Sequence, residues 1–220
     1  MKAVKIKPML TRLQNTIGRD DLIEQMVLVK EPNIAVENKF INTAKFIVGY
    51  NSSCHSHTAL DIALCMAHQA RLASNMQITV QAVFVVEDNQ NLYIQGQRDT
   101  HNFSSSTNQH VYEYLACDLT DRSKSSTSVL METRFKSESL TVLEEADAIL
   151  CQAQRLAQEW QSNFSCLLRF GSLAQELRQV IDSAGADVLF LGCNSADHPI
   201  IQSLGTDLRC AILGIPSSID

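Results

Sequence analysis

Ala186-Asp187-Val188-Leu189-Phe190-Leu191-Gly192, then Cys193-Asn194-Ser195 and, after nine further residues, Gly205-Thr206, is the stretch on which the fold turns. Val188–Leu191 is short and continuously apolar, and such a run bounded by turn residues reads as a strand buried on both faces of a parallel sheet. Gly192 ends it, and the pattern G-x-x-S-x9-G-T sets small residues at both ends of an arc. An arc of this kind can turn backbone N–H groups and a hydroxyl towards a phosphate, with Thr206 opening the final helix. On spacing alone, a glycine at a strand end reads equally well as a plain turn.

The segments before it alternate in the same way. Phe46-Ile47-Val48-Gly49-Tyr50 is a second buried strand, and Asn51-Ser52-Ser53 supplies turn and helix-capping chemistry. Thr58–Ala73 carries Leu60, Leu64, Ala67 and Leu72 near one helical stripe, and Ile78–Val86 is β-branched and strand-like. Thr141–Gln161 has Leu143, Ala146, Leu150, Ala153 and Ala157 in helical register. Cys166–Phe170 reads as a strand, and Gly171-Ser172 opens a helix over Leu173–Ala184. This order predicts an α/β fold: a Rossmann-like open parallel sheet with right-handed crossovers and helices on both faces.

Two regions stand outside that rhythm. Residues 1–44 form an N-terminal extension too short to enclose a core of its own. It has a helical stretch around Met9–Ile17 and another over Asp20–Val29, stopped by Glu31-Pro32-Asn33. Residues 89–139 form a long polar insertion in the main domain (45–220). Asn89–Gly96 and His110–Leu115 are its candidates for local structure, and the Ser, Thr, Asn and Gln content of Gln97–Ser128 predicts disorder for about half of it.

Composition narrows the function. The 220 residues are 45% hydrophobic and 19% charged, ordinary for a domain with a full core. A net charge of −6 and a pI near 5.5, without any long Lys/Arg run, argue against nucleic acid and anionic lipid as partners. A small molecule or another protein is expected instead. No stretch of about 18 apolar residues is present to span a membrane. The seven scattered cysteines and the acidic residues soon after the start fit a reduced, cytoplasmic protein without a leader.

In an open parallel sheet, ligands settle beyond the carboxyl ends of the strands at the switch in strand order. That selects the loop Asn51–His57 and the arc Gly192–Thr206. Here the motifs fall into a known pattern: Val48-Gly49-Tyr50-Asn51-Ser52-Ser53 with Ala59-Leu60, then Gly171-Ser172-Leu173, then Ala186–Gly192 with its arc. In order and placement they resemble the universal stress protein (UspA domain) family, over residues 45–88 and 140–216. The resemblance implies a fold of the adenine nucleotide alpha hydrolase-like kind, a dimer or a protein partner, and ATP or another adenine nucleotide bound at the carboxyl ends of the strands. Tyr50, Asn51, Ser52, Ser53, Gly192, Cys193, Ser195, Gly205 and Thr206 are the implied nucleotide-binding residues. Gly192, Gly205 and Thr206 match the family motif directly.

Three departures qualify it. The family's acidic residue after the first strand is Asn51, whose amide both donates and accepts. The second glycine of the motif is Ser195, whose Cβ crowds a backbone approach but whose hydroxyl can donate to a phosphate. After Gly214-Ile215-Pro216 the family continues into an edge strand, expected here to be truncated at Ser217–Asp220. Met26-Val27-Leu28-Val29 is a candidate to cover the edge left open, the alternative being that it packs as helix.

Other clusters point less far. Cys54, His55, His57, Cys65 and His68 suggest a soft-metal site, but in a spacing that fits no closed centre, so no metal is expected. A thiolate at Cys54, favoured by a helix start, is a redox alternative. Ser52 or Ser53 beside His55 or His57 lacks a recognisable orienting acid and a G-x-S-x-G turn, and Asn51 is no metal-binding carboxylate, so no enzyme activity is expected. Trp160 and Phe164 read as core or interface anchors. The function expected is a nucleotide-binding regulatory or stress-response module. The alternative is a relative that has lost its ligand and acts through protein interaction.

Overall fold

The structure, a computed structural model, describes residues 6–30, 43–87, 112–114, 133–205 and 207–216. Its helices are α1 (Ile6–Ile17), α2 (Leu22–Gln25), α3 (Cys54–Ser74), α4 (Thr133–Glu159), α5 (Leu173–Ala184) and α6 (Pro199–Leu204). The strands are β1 (Val27–Lys30), β2 (Thr43–Gly49), β3 (Gln77–Val86), β4 (Tyr112–Tyr114), β5 (Asn163–Phe170), β6 (Val188–Gly192) and β7 (Ala211–Ile215). They form one sheet in the order β1-β7-β6-β2-β3-β5-β4. From β7 to β5 all neighbours are parallel, and β1 and β4 close the two edges antiparallel.

Side chains alternate along a strand, and β2 shows how this makes two layers. Phe46 and Val48 pack with α1, α3 and α4, while Ile47 between them packs with α5 and α6. Phe46 meets Phe190 of β6 with ring centroids 5.1 Å apart. α3 has Ser53 as N-cap, its hydroxyl accepting from Ser56 N at 3.3 Å, and a left-handed Asn75 at its end. This helix lies between sheet and α1, so Ala59, Leu60, Ala63, Leu64 and Ala67 are all buried. Ile6, Met9, Leu10 and Leu13 of α1 and Leu22 of α2 join the same core, so residues 6–30 are packed onto the sheet layer.

Asp187 of the opening motif is a staple. Its carboxylate accepts from Lys45 N at 2.8 Å, its N–H donates to Lys45 O at 2.9 Å, and its carbonyl accepts from Ala211 N at 3.0 Å. One residue thereby aligns β2, β6 and β7 at the end of the sheet opposite the ligand-binding loops.

Several expectations are corrected. The helix expected over Asp20–Val29 shortens to Leu22–Gln25. Met26 turns extended (φ −84°, ψ 140°) and Val27–Lys30 becomes β1, paired with β7 through Val27↔Gly214 and Leu28↔Leu213. A β-branched run takes the strand state when an open sheet edge offers a partner. The edge strand expected to be truncated at Ser217–Asp220 lies outside the described residues, and a strand that the sequence reading did not name precedes it. Ala211–Ile215 pairs residue for residue with β6 from Val188 to Gly192. A Cβ on Gly214 would stand 2.7 Å from Cys193 Sγ and 3.2 Å from Val27 Cβ. Close packing requires the glycine.

The final helix, α6, precedes Gly205 instead of following it. His198 caps it, Pro199 takes its first position, and Gly205 (φ 70°) ends it. Thr206 itself lies outside the described residues, and positions 207–210 run without helix into β7. Of the insertion, β4 falls within the expected His110–Leu115 and α4 begins at Thr133. Asn89–Gly96, the stretch expected to be disordered and the Glu31-Pro32-Asn33 stop lie outside the described residues.

Candidate functional site

β2 is the switch point: the chain leaves it towards β3 on one side and returns to β6 on the other. A cleft of about 540 Å³ opens there, at the carboxyl ends of β2, β3 and β6. Gly49–Asn51, Val83–Glu87 and Leu191–Gly192 form its floor. Val142, Glu145 and Ile149 of α4 stand on one side, and Leu173 and Leu177 of α5 on the other. The size is that of small-molecule sites, as is the combination of apolar walls with a few polar groups.

The β2–α3 loop shapes one end. Asn51 Oδ1 accepts from Ser53 N at 3.2 Å, and Asn51 N donates to Ser56 Oγ at 3.3 Å. The Ser56 hydroxyl, 3% exposed, donates in turn to Ser53 O at 2.9 Å. Ser52 takes a left-handed conformation (φ 64°) and its hydroxyl donates to Gln152 of α4. The loop thus holds Asn51 through its own Oδ1 and N–H, with Asn51 exposed at the end of the cleft.

Beneath the floor lies a polar pair. Tyr50, 2% exposed, has its hydroxyl 3.1 Å from His57 Nδ1, with the two rings edge-on at 89°. Burial pushes the Tyr50 phenol up to about 12, with Cys166 and Asp61 adding to the effect. Asp61, one helical turn beyond His57, has its carboxyl raised mainly by burial, against a hydrogen bond from Trp160 and the attraction of His57. These groups tie α3 to the end of α4 and belong to the core.

The second selected loop behaves differently from its motif. A Cβ on Gly192 would lie 2.5 Å from His55 Cβ and 2.6 Å from His55 C, so the glycine admits the first turn of α3 against β6. Cys193 is buried on the α5 side, where burial raises its thiol, and its N–H donates to Ile215 O at 2.8 Å. The Ser195 hydroxyl accepts from Asp197 N at 3.1 Å, and the Ser195 carbonyl accepts from His198 N at 3.2 Å. Gly205 sits beside Arg178 of α5, which donates to Leu204 O.

Of the residues singled out in sequence, Tyr50, Asn51, Ser53 and Gly192 line the cleft. Ser52, Cys193, Ser195 and Gly205 are not part of its lining, and Thr206 lies outside the described residues. The metal-like cluster disperses: Cys54 is exposed, Cys65 is in the core, and His68 faces Trp160 with ring centroids 6.0 Å apart. Trp160 and Phe164 pack partly buried against the core. No helix among the described residues is long and apolar enough to cross a membrane.

A scan against family models and a search of curated proteins find no match to the chain. Among solved structures it is similar to the hypothetical protein MJ0577, at 8% identity and a TM-score of 0.51, over 80% of this chain and 98% of that one. The two share a fold. It is also similar to the universal stress protein UspA from Lactobacillus plantarum (15% identity, 81% and 99% covered, TM-score 0.46). A third is a universal stress protein family protein from Arabidopsis thaliana with AMP bound (12% identity, 80% and 94% covered, TM-score 0.48).

Sequence reasoning missed Glu87, Glu145, His198 and the walls from α4 and α5. His198 had a readable signal, since a polar residue directly before Pro199 marks a helix start. Glu87 follows a strand end, where the switch-point rule also applies. The α4 and α5 residues carry no local signal, because their place at the cleft depends on which faces the crossovers choose.

Proposed function

We propose that the chain is a nucleotide-binding regulatory module of the universal stress protein kind, acting in the cytoplasm without catalysis of its own. The observation that carries this reading is the cleft of about 540 Å³ at the switch point, walled by apolar side chains and edged by Asn51, Ser53 and His198. An adenine ring suits the walls contributed by Val85, Leu177 and Ile149, and a ribose suits the amide of Asn51. The Ser53 hydroxyl caps α3 and the Ser56 hydroxyl is bonded to Ser53 O and Asn51 N, which supports binding over nucleophilic chemistry.

The test is to denature freshly purified protein, identify any released nucleotide by chromatography, and titrate adenine nucleotides by calorimetry. An adenine nucleotide released near stoichiometry, or saturable heat weakened at least several-fold in Asn51→Ala, is the expected result. Empty protein with no heat at millimolar nucleotide retires the reading. A second reading, a module that acts through a protein partner or a homodimer, draws on the arc: Gly192 is filled by His55 and Ser195 is turned into its own loop.

A further inference from the structure

Resting on the nucleotide reading, we infer that the cleft selects the nucleoside end of its ligand and takes adenosine or AMP in preference to ATP. Two independent features lead there. The first is charge. Among the described residues that line the cleft, the side chains able to carry charge are Glu87, Glu145 and His198, so no lysine or arginine is among them. The nearby cations of the α5 layer are engaged: Arg169 by Glu176 at 2.7 Å and Gln179 at 2.9 Å, and Arg178 by Leu204 O. Among the described residues, each added phosphate therefore meets two carboxylates without a fixed counter-charge.

The second feature is the supply of backbone donors. A polyphosphate cradle needs free N–H groups turned towards the ligand, and among its described residues the arc after β6 engages several of its own within the fold. Cys193 N donates to Ile215 O, Asp197 N to Ser195 Oγ, His198 N to Ser195 O, Ile200 N to His198 Nδ1 and Gly205 N to Gln202 O. At the start of α3, Ser56 N and His57 N are taken by Ser53. The apolar wall and the polar rim at Asn51 suit a base and a sugar.

The experiment is calorimetry with adenosine, AMP, ADP and ATP at one ionic strength, with EDTA and again with Mg²⁺. Glu87 and Glu145 are exposed and partly screened, so two extra phosphate charges are expected to weaken binding by about tenfold or more. AMP should bind tighter than ATP in EDTA, Mg²⁺ should narrow the gap by cancelling the extra charge, and Glu87→Gln with Glu145→Gln should narrow it by strengthening ATP more than AMP. ATP binding as tightly as AMP in EDTA, or a gap that the two Glu→Gln changes leave untouched, overturns the inference and leaves the nucleotide reading standing. No binding by any of the four overturns both.

Discussion

At the scale of the residue, the glycines and polar side chains of the motifs do structural work that their spacing does not disclose. Gly192 is needed because main-chain and Cβ atoms of His55 lie within 2.5–2.8 Å of any Cβ placed there. Backbone cannot swing aside as a flexible side chain can, so Gly192→Ala should destabilise by about 1–3 kcal/mol in urea denaturation. A neutral result would show that α3 can retreat from β6. Ser195→Gly, by contrast, should leave nucleotide affinity unchanged, because Ser195 is outside the lining of the cleft. Tyr50 sets an alkaline limit. With the folded phenol pushed up from 10.0 to about 12, the unfolded chain releases the proton first. Its stabilising contribution is whole below pH 10 and is lost as pH rises towards 12. Tyr50→Phe should flatten that part of the stability-against-pH curve, and an unchanged slope would place the titration elsewhere.

At the scale of the element, the N-terminal segment covers a sheet edge, as the candidate Met26–Val29 stretch suggested. α1 is amphipathic, and Ile6, Met9, Leu10 and Leu13 are buried on α3, while β1 takes the outer edge of β7. An open parallel edge presents unpaired N–H and C=O groups, and the short antiparallel β1 and β4 cover the two parallel edges and leave only short edges in their place. If residues 6–30 share the main core, Leu13→Ala should lower global stability by about 2–5 kcal/mol. The single unfolding transition should be kept. Two separate transitions, or a loss confined to hydrogen exchange in α1, would show instead that the segment folds by itself.

At the scale of the whole molecule, the cleft lies where both helical layers and three strand ends meet, so an occupant bridges α4 and α5. A ligand that binds only the folded chain should stabilise it by about 2.7 kcal/mol at a hundredfold excess over its Kd. For a chain of this size that corresponds to a rise in Tm of about 5–10 °C. AMP titrated in thermal unfolding checks this, and a Tm independent of AMP despite measured binding would mean that the unfolded chain binds equally.

The same scales divide what was legible. The buried strands Phe46–Tyr50, Ile78–Val86 and Val188–Gly192, the helices between them and the position of the switch point follow from apolar periodicity and turn chemistry. Those are local signals, repeated every few residues, and they determine the α/β class and the end of the sheet where a ligand would sit. The state of Met26–Val29 is different, since a short β-branched run has no preference strong enough to decide between helix and strand. The free edge of β7, nearly two hundred residues away, decides it. The working end of the arc is likewise a tertiary matter. Whether Gly192 meets a phosphate or His55, and whether Ser195 donates outward or accepts from its own loop, depends on how closely α3 packs on β6. That distance is set by side chains from the whole core and is written in no single motif.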